Sequence, residues 1–184
     1  MPTASSKEPA MDAVALLKAD HRKVEGLFAD FEKAKGKASK QKLATQICTE
    51  LIVHTTIEEE IFYPACDGTI EEDTVHEAYV EHDGAKTLIA ELLASDPEAE
   101  FYDAKVKVLS EQIKHHVHEE EMRNEGMFAQ AKAAGLDLED LGERMAARKK
   151  ALLAEIKTKG LPALSTRSFI GVRLGKGKPL PQAA

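Results

Sequence analysis

Hydrophobic residues recur along most of this chain at alternating spacings of three and four, which is the spacing of the buried face of an α-helix. Glycine and proline are sparse up to residue 159, and four of them, Gly36, Gly68, Pro97 and Gly135, mark the breaks between these segments. The pattern predicts five helices, over residues 11–35, 39–64, 69–94, 98–134 and 137–158. Short connections between long helices make sequential neighbours antiparallel. We therefore expect an all-α protein, an up-down-up-down four-helix bundle with an additional C-terminal helix packed outside it and an irregular tail.

Composition changes divide the chain into four parts. The residues that follow 159 contain several glycines and prolines and four basic residues, with no acidic residue among them. Such a segment has little apolar surface to bury, so we expect it to be irregular. The predicted parts are a flexible N-terminus over 1–10, the four-helix bundle over 11–134, an accessory helix over 135–159 and an irregular basic tail over 160–184.

Histidine interrupts the apolar row of each of the first four helices. The four histidines at these inward positions are His21, His54, His82 and His116. Two rows also hold a glutamate four residues after the histidine, at Glu58 and Glu120. Residues four apart lie one above the other on a helix face, so each His–Glu pair faces the core together. The pattern therefore predicts four imidazoles and two carboxylates inside the bundle.

Burying these six groups without a partner would leave several polar atoms unsatisfied, at a cost of about 1–3 kcal/mol each. A divalent cation removes that cost. Imidazole and carboxylate without thiolate suit iron, manganese or zinc. Six ligands are too many for one tetrahedral zinc, but they suit two metal ions bridged by carboxylates. Ferritin-like sites use four glutamates and two histidines, so the imidazole-rich set favours oxygen binding over oxygen activation.

The fourth helix offers a second choice of ligands, because His115 and Glu119 are also four residues apart. A row moved back by one residue would place Gln112 where Ile113 stands, which favours His116 with Glu120. The predicted start at residue 98 leaves His116 about five residues, or roughly 7 Å, away from the level of the other histidines. His76 lies about 120° around its helix from His82, so we expect it on the surface.

The net charge, the cysteines and the lengths of the apolar stretches bear on nucleic-acid binding, compartment and membrane insertion. Lys and Arg total 25 against 32 Asp and Glu, a net charge of −7, so no broad basic face for nucleic acid is expected. Cys48 and Cys66 lie in or beside apolar helical stretches, where a buried thiol in a reducing, cytoplasmic protein is the expected reading. No stretch reaches the roughly 20 apolar residues of a membrane span. The sequence sets no oligomeric state.

The segments that carry these residues resemble the hemerythrin-like HHE cation-binding family over roughly residues 12–130. The matching segments are Ala19 to Val24, His54 to Pro64, Glu81 with His82, and His115 to Glu121. The resemblance implies a four-helix bundle around two non-haem iron ions joined by an oxo or hydroxo bridge. It also implies that His21, His54, His82 and His116 are terminal ligands and that Glu58 and Glu120 bridge the two ions.

What the resemblance implies about function is a di-iron protein that binds dioxygen, nitric oxide or peroxide, for sensing, storage or stress response. Its alternatives are a redox enzyme with catalase-, peroxidase- or ferroxidase-like activity and an iron-handling protein. Two departures of this sequence from the family pattern bear on the choice between these functions. Ala78 stands where oxygen-carrying hemerythrins supply a fifth histidine, which predicts a more open position at one iron. Met122 to Asn124 look inserted after the Glu cluster, which leaves the end of the fourth helix open to irregularity.

Overall fold

A computed structural model of the protein describes residues 11–171 and residue 174. Helix is the only regular secondary structure in these described residues, which confirms the all-α prediction. The elements in chain order are α1 (Ala13–Lys33), α2 (Lys37–Ile57), a π-helical turn (Glu58–Phe62), α3 (Tyr63–Cys66), α4 (Glu72–Ala94), α5 (Tyr102–Glu121), α6 (Met127–Ala133) and α7 (Leu138–Lys159).

Four long helices form the bundle. Helix α1 packs against α2 and α5, and α4 packs against α5 and α2, so each helix has two neighbours around a common core. That core contains fully buried aliphatic side chains from every one of these helices, among them Leu17, Ile47, Ile89 and Leu109. The inward row predicted for each helix is therefore the row that packs in the centre.

Helix α7 packs along the outside of α1, α2 and the π-helical turn. Asp137 begins this helix by accepting a hydrogen bond from the backbone nitrogen of Asp140 at 3.0 Å. The backbone of α7 comes very close to the start of α1 at Gly142. A Cβ at this position would lie only 2.4 Å from the carbonyl oxygen of Met11. Glycine at this position lets the fifth helix seat directly on the bundle.

The predicted second helix is divided by the π-helical turn. The backbone nitrogen of Tyr63 donates to the carbonyl oxygen of Glu58, five residues earlier, instead of the usual four. One additional residue in the turn changes which side chains point inward. Glu58, on the inward row of α2, is completely buried, and Phe62 and Tyr63 are completely buried beside it.

The predicted fourth helix is also shorter than its apolar pattern indicated. It begins at Tyr102, after a turn in which Asp96 accepts from the backbone nitrogen of Glu98, and it ends at Glu121. Met122 has an extended backbone, with φ −50° and ψ 131°. A Cβ on Gly126 would lie 2.6 Å from the carbonyl oxygen of Glu120. The chain therefore turns back tightly over the end of α5, and α6 begins as a separate helix.

The described part of the tail lies against α4 without forming a helix. Asp83, on α4, is fully buried and accepts through Oδ2 from the backbone nitrogens of Arg167 and Ser168 and from the Ser168 hydroxyl. Leu161 is also buried. The predicted flexible N-terminus and the basic residues Arg173, Lys176 and Lys178 lie outside the described residues. Among the described residues, no helix has the length and apolar character needed to cross a membrane.

Candidate metal centre

The structure brings all six sequence-predicted side chains together in the middle of the bundle. They come from α1, α2, the π-helical turn, α4 and α5, and none is more than 5% exposed. The Nε2 atoms of the four histidines form two close pairs. His21 Nε2 lies 3.2 Å from His54 Nε2, and His82 Nε2 lies 3.2 Å from His116 Nε2. Each pair joins residues from two neighbouring helices of the bundle.

The two glutamates lie between the histidine pairs. Glu58 Oε2 is 3.1 Å from His54 Nε2 and 3.3 Å from His82 Nε2. Glu120 faces the other two histidines, with Oε2 at 3.4 Å from His21 Nε2 and Oε1 at 3.6 Å from His116 Nε2. Each carboxylate thus contacts one histidine of each pair, which is the arrangement that two bridging carboxylates require.

The donor atoms fit a pair of cations. Both carboxylate oxygens of Glu58 and Oε2 of Glu120 are buried without a hydrogen-bond partner. Unpaired buried carboxylate oxygens are costly unless a cation neutralises them. The separation of 3.2 Å within each histidine pair also suits two nitrogens that share one ion at about 2.1 Å each. Imidazole and carboxylate together with no thiolate suit iron, manganese or zinc.

The pKa shifts of the buried groups also favour a bound cation. Burial, and after it the negative charge of Glu120, raises the pKa of Glu58 well above its usual value. Burial lowers the pKa of His54 to about 4, although Asp20 opposes that shift. Two carboxylates therefore resist sharing this volume as anions, while the imidazole is held neutral, the form that binds metal.

A second layer of carboxylates surrounds the histidines. The Nδ1 atom of each ring faces an acidic side chain from a neighbouring element. The Nδ1-to-oxygen distances are 2.8 Å for His21 and Glu121, 2.9 Å for His82 and Glu59, 2.7 Å for His116 and Glu81, and 3.8 Å for His54 and Asp20. At His21, His82 and His116 the carboxylate accepts a hydrogen bond from Nδ1, which fixes the tautomer and the ring orientation and makes Nε2 a better ligand. The contact at His54 is too long for a hydrogen bond.

The apolar spacing does not point to these four acidic residues, because none of them lies on an inward row. A sequence signal does exist, because each of them is adjacent to an inward residue. Acid–histidine pairs occur in α1 and α4, and glutamate pairs end the His-x-x-x-Glu segments. The adjacent pairs are Asp20 with His21, Glu58 with Glu59, Glu81 with His82, and Glu120 with Glu121.

Tyr63 is a further side chain in the centre that the apolar spacing did not single out. Its hydroxyl donates to Glu120 Oε1 at 3.2 Å and lies 3.1 Å from His82 Nε2. Burial, followed by the charges of Glu58 and Glu120, raises the pKa of Tyr63 well above its usual value. The phenol is therefore a neutral hydrogen-bond donor beside the His82–His116 pair. The π-helical turn is what points it inward.

The alternative residues of the fourth helix lie outside the centre. The side chain of His115 is 62% exposed, and that of Glu119 is 31% exposed. His76 is exposed and pairs with Glu72. His116 and His82 lie at a similar height along the bundle axis. His116 is fourteen residues after the start of α5, and His82 is twelve residues before the end of the antiparallel helix α4. The later start of α5 removes the mismatch of roughly five residues.

Aromatic side chains close the centre beside α1. The ring of Phe128, on α6, stacks on the imidazole of His21 with centroids 5.9 Å apart. Phe62, from the π-helical turn, meets Phe128 edge to face at 5.8 Å. The break after α5 therefore has a structural role, because it brings α6 back over the histidines.

A four-helix bundle with two His-x-x-x-Glu segments and two further histidines facing one another defines a class of helical cation-binding domains. The family model of the hemerythrin HHE cation-binding domain matches residues 12–128. The chain belongs to this family.

Two similar proteins illustrate how far the likeness extends. A crystal structure of a hemerythrin HHE cation-binding domain-containing protein from Mycobacterium kansasii superposes with a TM-score of 0.68 at 26% identity, and the match covers 82% of this chain and 95% of that one. A DNA nickase of Nostoc sp. is 29% identical over 119 residues, which is 65% of this chain. The match spans only 34% of the nickase.

Proposed function

We propose that the protein holds two iron ions between His21, His54, Glu58, His82, His116 and Glu120 and binds dioxygen, nitric oxide or peroxide there. The observation that carries the proposal is the position of the two carboxylates, each of which contacts one histidine of each pair. Two separate mononuclear sites would not need both carboxylates in shared positions. Iron is the metal that the family resemblance favours among those that suit the donor set.

The roles of the residues follow from these contacts. His21 and His54 would hold one ion, and His82 and His116 would hold the other. Glu58 and Glu120 would bridge the two ions. An iron pair supplies reversible binding and one-electron reduction of small oxygen and nitrogen species when it is bound.

The surrounding residues prepare the site for that chemistry. The outer carboxylates hold the imidazoles with Nε2 inward. Phe62 and Phe128 exclude water from the side next to His21. Tyr63 holds a proton at its hydroxyl oxygen within the centre and donates it towards Glu120 Oε1. A small ligand beside the His82–His116 pair would therefore meet a hydrogen-bond donor.

A second candidate function is turnover of peroxide, and the Tyr63 hydroxyl favours it. The phenol next to the His82–His116 pair is positioned to supply a proton to a departing oxygen atom, which reversible storage does not require. Ala78, on the same side of the centre, contributes no ligand because its side chain has no donor atom. The position beside this pair is consequently less protected by protein ligands than a five-histidine site.

Ligand binding by the reduced, iron-loaded protein tests the proposed function. Anaerobic titration with nitric oxide and separate exposure to dioxygen should each produce a new absorption spectrum that saturates with the iron content. The matched control is His76→Ala, which removes a surface histidine and should bind both ligands normally. An iron-loaded protein whose spectrum neither gas changes would contradict the proposal. Peroxide consumption no faster than that of free iron would remove the second candidate.

A further inference from the structure

Glu81, His115 and Glu119 meet on the outer face of α4 and α5, outside the six residues proposed above to hold the two cations. His115 Nε2 lies 3.2 Å from Glu119 Oε1 and 3.5 Å from Glu81 Oε1. All three ligand atoms are close enough together to hold one cation. An imidazole and two carboxylates are a common donor set for a divalent metal with open positions for water.

The outer group is connected to the buried centre through one carboxylate. Glu81 faces His115 with Oε1, and its other oxygen, Oε2, accepts a hydrogen bond from Nδ1 of the buried His116 at 2.7 Å. An ion on the outer group would thus be separated from the His116 imidazole by a single carboxylate. The other two side chains of the outer group, those of His115 and Glu119, are accessible from solvent.

A small cavity provides a second, independent link. Its volume is about 110 Å³, and its walls include Glu81 and Glu119 from the outer group together with His116 and Glu120 from the centre. Glu120 is only 2% exposed, and its Oε2 has no hydrogen-bond partner. That oxygen faces His21 Nε2 at 3.4 Å, so the cavity joins the surface group to a carboxylate that belongs to the buried centre.

The remaining walls of this cavity make it attractive to cations. Glu77, on α4, and Glu125, in the connection after α5, contribute two more carboxylates. No lysine or arginine is among the residues that line the cavity. Negative walls of this kind concentrate cations locally and speed their capture.

We propose that Glu81, His115 and Glu119 form a third cation site, which captures a divalent ion such as ferrous iron from solvent on its way to the buried centre. The inference rests on the proposed function, since it requires a centre that takes up metal. The outer ion is held by three protein ligands and by water, so it binds more weakly and exchanges faster than ions inside the bundle. The connection through Glu81 and the acidic cavity gives it a route inward.

Equilibrium dialysis of the iron-loaded protein against Zn²⁺ tests whether the third site exists. The iron-loaded protein should bind one zinc ion that the His115→Ala variant lacks, while both retain equal iron. His76→Ala is the matched control, because His76 is exposed to a similar extent and also has a glutamate partner, Glu72, at 3.6 Å. This control should bind zinc normally. Equal zinc binding by all three proteins, or no bound zinc in any of them, would overturn the proposal.

The rate of iron uptake tests the delivery role. When the metal-free protein is mixed with ferrous iron, a His115→Ala, Glu119→Gln double variant should load about tenfold more slowly, because it lacks the capturing ligands and one negative charge. Its final iron content should equal that of the unaltered protein. Equal rates would overturn the delivery role. Failure of every protein, including the unaltered chain, to take up a pair of iron ions would instead refute the proposed function.

Discussion

The hydroxyl of Tyr63 donates a hydrogen bond to Glu120 Oε1, and Tyr63 directly follows the π-helical turn that carries Glu58. The π-helical turn therefore supplies a proposed bridging carboxylate, and the residue after it supplies the hydrogen-bond donor that contacts the other one. π-Helical turns occur frequently at functional sites. In this protein, Glu58 continues the inward row of α2, and the additional residue of the turn allows Tyr63 to point inward as well.

Replacement of this tyrosine by phenylalanine tests its role. Tyr63→Phe keeps the ring, so the protein should fold and retain its iron. Loss of the proton donor should slow peroxide consumption by about 10²-fold, the lower end of the usual effect of a positioned acid. The measurement is the initial rate of peroxide loss at equal iron content. Tyr79→Phe, which alters a tyrosine whose ring contacts Tyr63 edge to face, is the control. Equal rates for all three proteins would exclude Tyr63 from the chemistry.

The outer carboxylates should control metal affinity without being ligands. Glu59→Gln removes the charge that Nδ1 of His82 contacts at 2.9 Å, so we expect metal affinity to fall by about 10- to 100-fold. The neighbouring Glu60 pairs instead with Arg148 on the surface, and Glu60→Gln is therefore a closely matched control. Competition with a chelator measures the affinity. Equal affinities for the two variants would show that the Glu59 contact does not support the His82 ligand.

Acid should destabilise the metal-free protein through His54. The pKa of His54 is about 4 when folded and 6.5 ordinarily, so the unfolded chain binds more protons between these values, and stability falls as pH drops through this range. From pH 7 to pH 5 the loss due to this residue should be about 2 kcal/mol.

Denaturant unfolding of the metal-free protein at both pH values measures this effect. The His54→Gln variant lacks the titrating imidazole, so its free energy of unfolding should change less between pH 7 and pH 5 than that of the unaltered protein. The exposed His76→Gln variant should behave like the unaltered protein. A pH dependence that is the same in all three would mean that His54 is not held neutral by burial.

The contact of the tail with Asp83 should contribute to stability but not to metal binding. A chain that ends at Gly160 loses the donors of Arg167 and Ser168 and the buried side chain of Leu161. We expect its free energy of unfolding to fall by about 2 kcal/mol, while iron content and helicity stay unchanged. A chain that ends at Gly171 keeps these contacts and should match the full protein. Lost iron in the shorter chain would show that the tail supports the centre.

The sequence predicts the helices and the inward rows well, because a buried helix face imposes its spacing directly on the residues. That spacing selected His21 and Glu120 as inward residues, and both are buried. It also favoured His116 over His115, since only the first continues an apolar row. Choices of this kind depend on one helix at a time.

The features that the sequence did not reveal depend on contacts between elements. The π-helical turn interrupts an apolar pattern that reads as continuous, so the inward position of Tyr63 was not evident. The family resemblance indicated an irregular end of the fourth helix, but the position of the break at Met122 depends on the close packing of Gly126 against the end of α5. Glu59 acquires its role only when α4 brings His82 beside it. Helix periodicity contains no information about these contacts.

The metal content of the protein after reconstitution with ferrous iron tests the central claim most directly. Elemental analysis should give two iron ions per chain for the unaltered protein, and Glu58→Ala should lose both or retain one weakly, because Glu58 contacts a histidine of each pair. The control His115→Ala should retain two ions. One zinc ion per chain, or no metal after reconstitution, would contradict the account.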